Sequence, residues 1–148
     1  MIAIGSDHGG YKLKEEIKKY LEETGIQFVD VGTHSEERTD YPIYAKEVCK
    51  KIQAKQADAG ILICKSGLGM SIVANKFKGI RCAACYTKSA AKSAKEHSNV
   101  NVLALPAEEL NISKAVVILR TWIASEYLGG RYNERLQMIN DIESENMK

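Results

Sequence analysis

The residues best equipped for chemistry stand in one run, "CKSGLGM" at positions 64–70, closing the apolar stretch "AGILIC". Gly67 and Gly69 let the backbone turn tightly and present successive N–H groups at a helix start, which suits a phosphate or a developing oxyanion. Cys64 precedes both that turn and Lys65, surroundings that favour a thiolate able to act as nucleophile or as base toward a carbon acid. A second polar run, "GSDHGG", supplies Asp7 and His8. Neither run is a P-loop or a spaced-glycine dinucleotide fingerprint, so nucleotide binding is not expected. His97 ends a helical stretch ahead of "NVLALP" and is expected at the same functional edge, whereas His34 lies in a polar loop and is given no role. Arg131 and Arg135, four apart in "GGRYNER", share a helix face and can converge on one phosphate.

These groups need a scaffold that brings separated loops together. Short apolar runs, "IAIG", "QFVDVG", "AGILIC", "GIRCAACY" and "NVLALP", alternate with amphipathic stretches. "YKLKEEIKKYLEETG" repeats Leu13, Ile17 and Leu21 at helical spacing and stops at Gly25; Pro42 opens the next helix; "SKAVVILRTWIASEYL" reads as one long helix broken by Gly129 and Gly130. Continuous apolar strands alternating with helices predict a doubly wound, Rossmann-like three-layer α/β/α sandwich with a five-stranded parallel sheet. The expected order is 2-1-3-4-5, with a switch point between the first and third strands, where Asp7 and His8 would meet Cys64, Lys65 and Ser66. One domain over 1–148 is expected, with a helical tail from 129.

The bulk numbers narrow the partners. A chain of 148 residues, 45% hydrophobic, suffices for one core, and a net charge of +2 is too small to argue for nucleic acid. "MIAIGSDHGG" carries no basic-then-apolar leader and no run reaches membrane-spanning length, which predicts a cytoplasmic protein with no membrane partner. Four cysteines in that setting are reduced thiols. Cys82 and Cys85 resemble a C-x-x-C pair, but three residues apart on a strand they face opposite ways, so they read as small buried hydrophobes rather than metal ligands or a redox couple.

Taken together, "GSDHGGYKLKEEI", "DVGTHSEERTDYP", "GILICKSGLGMSIVANKFKGIRCA", "EHSNVNVLAL" and "YLGGRYNERL" occur in order over nearly the whole chain. In this combination the sequence resembles the ribose-5-phosphate isomerase B and galactose-6-phosphate isomerase family. The resemblance implies aldose–ketose interconversion of a phosphorylated sugar through a cis-enediolate, with no metal and no cofactor. It makes Cys64 the base between C1 and C2, and the backbone N–H groups from Lys65 through Gly67, Leu68 and Gly69 to Met70 the enediolate cradle, with Ser66 in the place of a threonine hydroxyl. It gives His97 the opening of the sugar ring, assisted by Asp7, and a sugar contact to Tyr41. His8, Arg131 and Arg135 would hold the phosphate. The arginines would reach into the partner of a homodimer, which in turn could pair into a tetramer.

Four positions depart from the family pattern. Lys65 replaces a glycine, Ser98 stands for the asparagine after the histidine, Tyr132 replaces a histidine, and Glu108 takes the place of a phosphate-binding arginine. A carboxylate there repels a phosphate dianion, and Lys65 is expected to offset it from the other side of the crevice. Ribose 5-phosphate is the default substrate; a tetrose or hexose phosphate, or a sugar-phosphate-binding module without catalysis, are the alternatives.

Overall fold

The computed structural model describes residues 1–147. Five strands, β1 (Ile2–Ser6), β2 (Phe28–Gly32), β3 (Ala59–Cys64), β4 (Cys82–Ala84) and β5 (Val102–Pro106), form one parallel sheet. The helices are α1 (Tyr11–Glu23), α2 (Tyr41–Gln53), α3 (Leu68–Ala74), α4 (Lys88–Ser98), α5 (Ile112–Ala124) and α6 (Tyr132–Asn146). β1 and β5 are buried throughout and β3 from Gly60 onward, while β4 is half-buried and β2 mostly so. Strands covered on both faces and paired on both edges must be apolar along their length, so β1, β3 and β5 take the middle.

That rule corrects the expected strand order. The sheet runs β2-β1-β3-β5-β4, with the fifth strand inside and the fourth, only three residues long, at the edge. β5 pairs with β3 from Gly60↔Val102 to Cys64↔Pro106. The switch point between β1 and β3 survives, and the carboxyl end of β5 now lies directly beside Cys64.

Side-chain alternation divides the core between the two faces of the sheet. Ile4, Ile61, Ile63, Leu103 and Leu105 pack with α1, α4 and α5, including Ile17, Leu119 and Trp122. Ala3, Leu62, Cys64 and Ala104 pack with α2 and α3, including Val48, Cys49 and Met70. This is the three-layer sandwich that the alternating pattern predicts. Cys82 falls in one cluster and Cys85 in the other, so the pair does face opposite ways. Burial pushes both thiols up, Cys82 to about 12 and Cys85 to about 11.

Two helix boundaries follow from local polar chemistry. α5 stops at Ala124 rather than continuing to Gly129 as its pattern suggests. Thr121 Oγ1 donates to the Val117 carbonyl and Ser125 Oγ to the Thr121 carbonyl, both at 2.7 Å, and Ser125 turns extended. Such hydroxyls compete for helix carbonyls and favour termination. After Gly129 and Gly130, both at positive φ, α6 buries none of its residues.

A buried ion pair ties α1 to β2. Lys14 is fully buried, and its Nζ donates to Asp30 Oδ2 at 2.5 Å; Lys18 Nζ lies 2.9 Å from the same oxygen, and the Gly32 N–H donates to Oδ1 at 2.8 Å. Burial alone would raise the Asp30 carboxyl, but these hydrogen bonds and the Lys14 charge outweigh it and hold the group below the ordinary carboxylate range. A folded-state value below the unfolded one stabilises fully above about pH 4, and that contribution is lost as pH falls through the folded value. Asp30→Asn leaves the buried Lys14 ammonium with only Glu15 Oε1, 3.8 Å away, as counter-charge and should cost about 3–5 kcal/mol at neutral pH. Urea denaturation at fixed protein concentration checks this; a loss below about 1 kcal/mol, the size of a surface pair, would mean that Lys14 escapes to solvent.

Candidate active site

At the carboxyl edge of the sheet, β3 ends in Cys64 and the chain turns back into α3. The turn needs Gly67, whose φ of +77° belongs to the left-handed region that side chains avoid. Within it the Gly67 N–H donates to Cys64 Sγ at 3.2 Å, and the Leu68 N–H donates to Ser66 Oγ at 3.2 Å. The Gly69 and Met70 amides, in the first turn of α3, have no acceptor among the described residues. Glycine at 69 also lets Tyr41, the first residue of α2, lie against the turn: a Cβ there would stand 2.6 Å from the Tyr41 ring. Cys64 is 5% exposed, so its sulfur sits in an apolar wall beside a short arc of unpaired donors.

The β1 loop closes the other side of the crevice. Asp7 is buried, and its Oδ1 accepts from the Gly10 N–H at 3.1 Å. Gly9 brings that loop against Lys65, since a Cβ at Gly9 would lie 3.4 Å from Asp7 Oδ1 and 3.6 Å from Lys65 Cβ. His8 is exposed, with Nδ1 at 3.1 Å from both the N–H and the carbonyl oxygen of Thr39. The neutral ring can accept from the first and the charged ring donate to the second, so the ring keeps its place in either state.

β5 adds the third wall. The Ala107 N–H donates to the Cys64 carbonyl at 2.9 Å and the Glu108 N–H to the Lys65 carbonyl at 3.0 Å. Lys65 and Glu108 therefore stand side by side, with Nζ 3.7 Å from Oε1. The expectation that they face each other across the crevice is corrected: they form one exposed ion pair, because β5 rather than β4 neighbours β3.

His97 is also not where the sequence reading put it. α4 leaves the carboxyl edge after β4 and runs back across the sheet, so its last turn, with His97 and Ser98, lies at the amino edge where β5 begins. The strand between those edges, Val102 to Pro106, spans roughly 13 Å at 3.3 Å per residue. There His97 stacks on Tyr132, with centroids 4.5 Å apart and planes 14° from parallel. The Arg131 guanidinium lies 4.9 Å from the centroid of the Tyr132 ring and donates to the Tyr132 hydroxyl at 2.8 Å. Arg135 is exposed one helical turn further on. Ser98 lines a cavity of about 440 Å³ with Arg81, Cys82, Ile139 and Ile142.

Thus one chain brings together Asp7, His8, Tyr41, Cys64 and the turn to Met70, with Lys65 and Glu108 at the rim. His97, Ser98, Arg131 and Arg135 form a second group at the opposite edge. Sequence reasoning passed over Tyr86, whose hydroxyl donates to the Ser66 carbonyl at 2.5 Å. Its only signal was its place just beyond the end of a strand.

The geometry has close counterparts. The profile of the Ribose/Galactose Isomerase family matches residues 2–139. The chain is 43% identical over 142 residues to ribose-5-phosphate isomerase B of Escherichia coli (strain K12), covering 96% of this chain and 95% of that one. The structure of Clostridium thermocellum ribose-5-phosphate isomerase B superposes with a TM-score of 0.96 at 42% identity, over 97% of each chain. That of the Mycoplasma genitalium enzyme with bound ribulose-5-phosphate gives 0.93 at 34% identity, over 98% of this chain and 97% of that one. With a family match across nearly its whole length and a carboxyl-edge crevice built around Cys64, this chain belongs to the ribose/galactose isomerase family.

Proposed function

We propose that the chain interconverts ribose 5-phosphate and ribulose 5-phosphate through a cis-enediolate, with Cys64 as the carbon base. The observation that carries the reading is the Cys64 sulfur at the end of β3, bonded to the Gly67 N–H at 3.2 Å beside the unpaired amides of Gly69 and Met70. Near-full-length relatives described as ribose-5-phosphate isomerase B support the choice of sugar. The thiolate removes the C2 proton of the open aldose, and the electron pair moves through C1–C2 to make an oxyanion on the former carbonyl. The C2 hydroxyl proton passes to the C1 oxygen, the thiol returns its proton to C1, and the C2 oxygen becomes the carbonyl of the ketose. A carbon-bound proton is far less acidic than a thiol, so the oxyanion must be stabilised as it forms; each preorganised donor contributes about 3–4 kcal/mol. Ser66 supplies a hydroxyl at the same turn, and Tyr41 borders the sugar.

Ring opening and phosphate binding need the groups at the amino edge, which lie too far from Cys64 within one chain. A second copy supplies them: its His97, acting with Asp7 of this chain, opens the ring, while its Arg131 and Arg135 join His8 on the phosphate. Each edge carries apolar surface suited to such a contact. Leu68 and Ile72 are 54% and 63% exposed beside the Cys64 turn, and Met138 and Ile142 are 63% and 59% exposed on α6 beyond Arg135. A two-fold dimer brings each edge of one chain to the opposite edge of the other and makes two identical sites.

The Lys65–Glu108 pair favours ribose 5-phosphate over an altered substrate. Glu108 shares its charge with the adjacent ammonium instead of presenting it alone to a phosphate. Exposed pairs contribute little, about 0–1 kcal/mol, so Glu108→Gln should change KM for ribose 5-phosphate by less than about five-fold. It should act downward, because it frees Lys65. A fall beyond ten-fold, measured at constant ionic strength, would show Glu108 obstructing the phosphate directly.

Cys64→Ala should lower kcat at least about 100-fold while leaving binding of the sugar phosphate near its ordinary strength, since a positioned base contributes 10²–10⁴-fold. Near-normal turnover of ribose 5-phosphate by that variant would assign the proton transfer to another group. Assembly has its own test. Inactive Cys64→Ala chains, unfolded and refolded with an equal amount of chains carrying Arg131→Ala and Arg135→Ala, should recover about a quarter of the normal rate, because half the dimers are mixed and each holds one intact site. Mixed dimers that form and stay inactive would rule out a site shared between chains.

A further inference from the structure

We propose that Tyr86 is a positioning residue for the enediolate cradle: its hydroxyl pins the Ser66–Gly67 peptide so that the Gly67 N–H stays aimed at the Cys64 sulfur. The Tyr86 hydroxyl donates to the Ser66 carbonyl at 2.5 Å, and the N–H of the same peptide unit donates to Cys64 Sγ at 3.2 Å. A trans peptide is planar with its C=O and N–H opposed, so a donor held on one end fixes the direction of the other. The unit needs such a hold. Gly67 at φ +77° has the conformational freedom of a residue without Cβ, and rotation of the plane costs little at a glycine.

The same contact shapes the rest of the turn. Ser66 O is the carbonyl that the Met70 N–H would take if α3 began one residue earlier. Tyr86 occupies it, and the Met70 amide remains without an acceptor among the described residues. Donation to a carbonyl also polarises its peptide and strengthens the N–H as a donor. Tyr86 is itself held at both sides. The Cys85 N–H bonds the Ala104 carbonyl at 3.0 Å, and Thr87 Oγ1 caps α4 by accepting the Ala90 N–H at 3.1 Å. A phenol fixed between a sheet bond and a helix cap makes a rigid post from the edge strand to the turn. Its ring is 40% exposed, so removing the hydroxyl opens no cavity.

The catalytic part of this inference rests on Cys64 being the base; the hold on the peptide does not. Tyr86→Phe tests both. In protein labelled with ¹⁵N-glycine, the Gly67 amide should shift and exchange its hydrogen faster, with most of the other ten glycines unmoved. With ribose 5-phosphate, kcat should fall about ten-fold, less than for direct loss of an oxyanion donor, while KM stays within about two-fold. A hydroxamate mimic of the enediolate should lose affinity by the same factor as kcat, and the corresponding alditol phosphate, which has no oxyanion, should lose none. An unchanged Gly67 amide overturns the hold, and an altered amide with unchanged kcat overturns its role in catalysis. Equal weakening of both inhibitors with a lowered Tm would make Tyr86 an ordinary structural support and also overturn it. If the unaltered protein interconverts no aldose and ketose phosphates, the isomerase reading fails, and the Gly67 amide still decides whether Tyr86 holds the turn.

Discussion

The hydrogen bond from the Gly67 N–H to the Cys64 sulfur requires that β3 end at the thiol and that the chain reverse within three residues. Only a residue tolerant of positive φ can make that reversal, and only a buried strand end can keep the sulfur in an apolar wall. The surrounding structure serves those two demands. β1 and β5 flank β3 and bury it, while Tyr41 packs on the reversal where Gly69 has no side chain. The stability of the sandwich and the placement of the thiol are therefore one requirement seen at two scales.

Strand polarity explains why the second group of functional side chains cannot join the first within one chain. In a parallel sheet every helix returns from the carboxyl edge to the amino edge, so a residue ending a helix lies a strand length from one following a strand. His97 ends α4, and α6 packs near that same edge, where Glu143 accepts from the Gly79 N–H at 2.9 Å. His97 stacks on Tyr132 there, with the Arg131 guanidinium close to the same ring, so the histidine has an aromatic wall before any sugar arrives. With the arginines of the tail one turn apart beside it, this edge gathers cationic groups and an imidazole, while the Cys64 thiol stands at the other edge.

Much of this was legible in the residues. The strands, the amphipathic helices and the glycine turn after Cys64 all rest on local patterns, and local patterns appear in sequence. The neighbours of β5 do not, because pairing order is decided by which strand can bear burial on both faces, a comparison between distant segments. The placement of His97 was legible in principle: strand–helix polarity puts a helix end at the amino edge, whatever the residue's chemistry suggests. Tyr86 was not, since nothing in "CAACYTK" shows that a phenol there reaches the Ser66 carbonyl. That contact exists because β4 is short and its chain leaves the sheet at the right height.

The strand order also changes the meaning of the two charge departures. With the fourth strand beside the third, Glu108 would stand a strand farther from Lys65 and face the crevice as an isolated carboxylate. With β5 in that place, backbone bonds from Ala107 and Glu108 to the carbonyls of Cys64 and Lys65 bring the two side chains onto one rim. A glutamate replacing an arginine is costly alone in a phosphate-handling site, and a lysine beside it offsets that charge. Side by side they leave the rim without net charge. The two substitutions act as one local exchange, and the topology couples them.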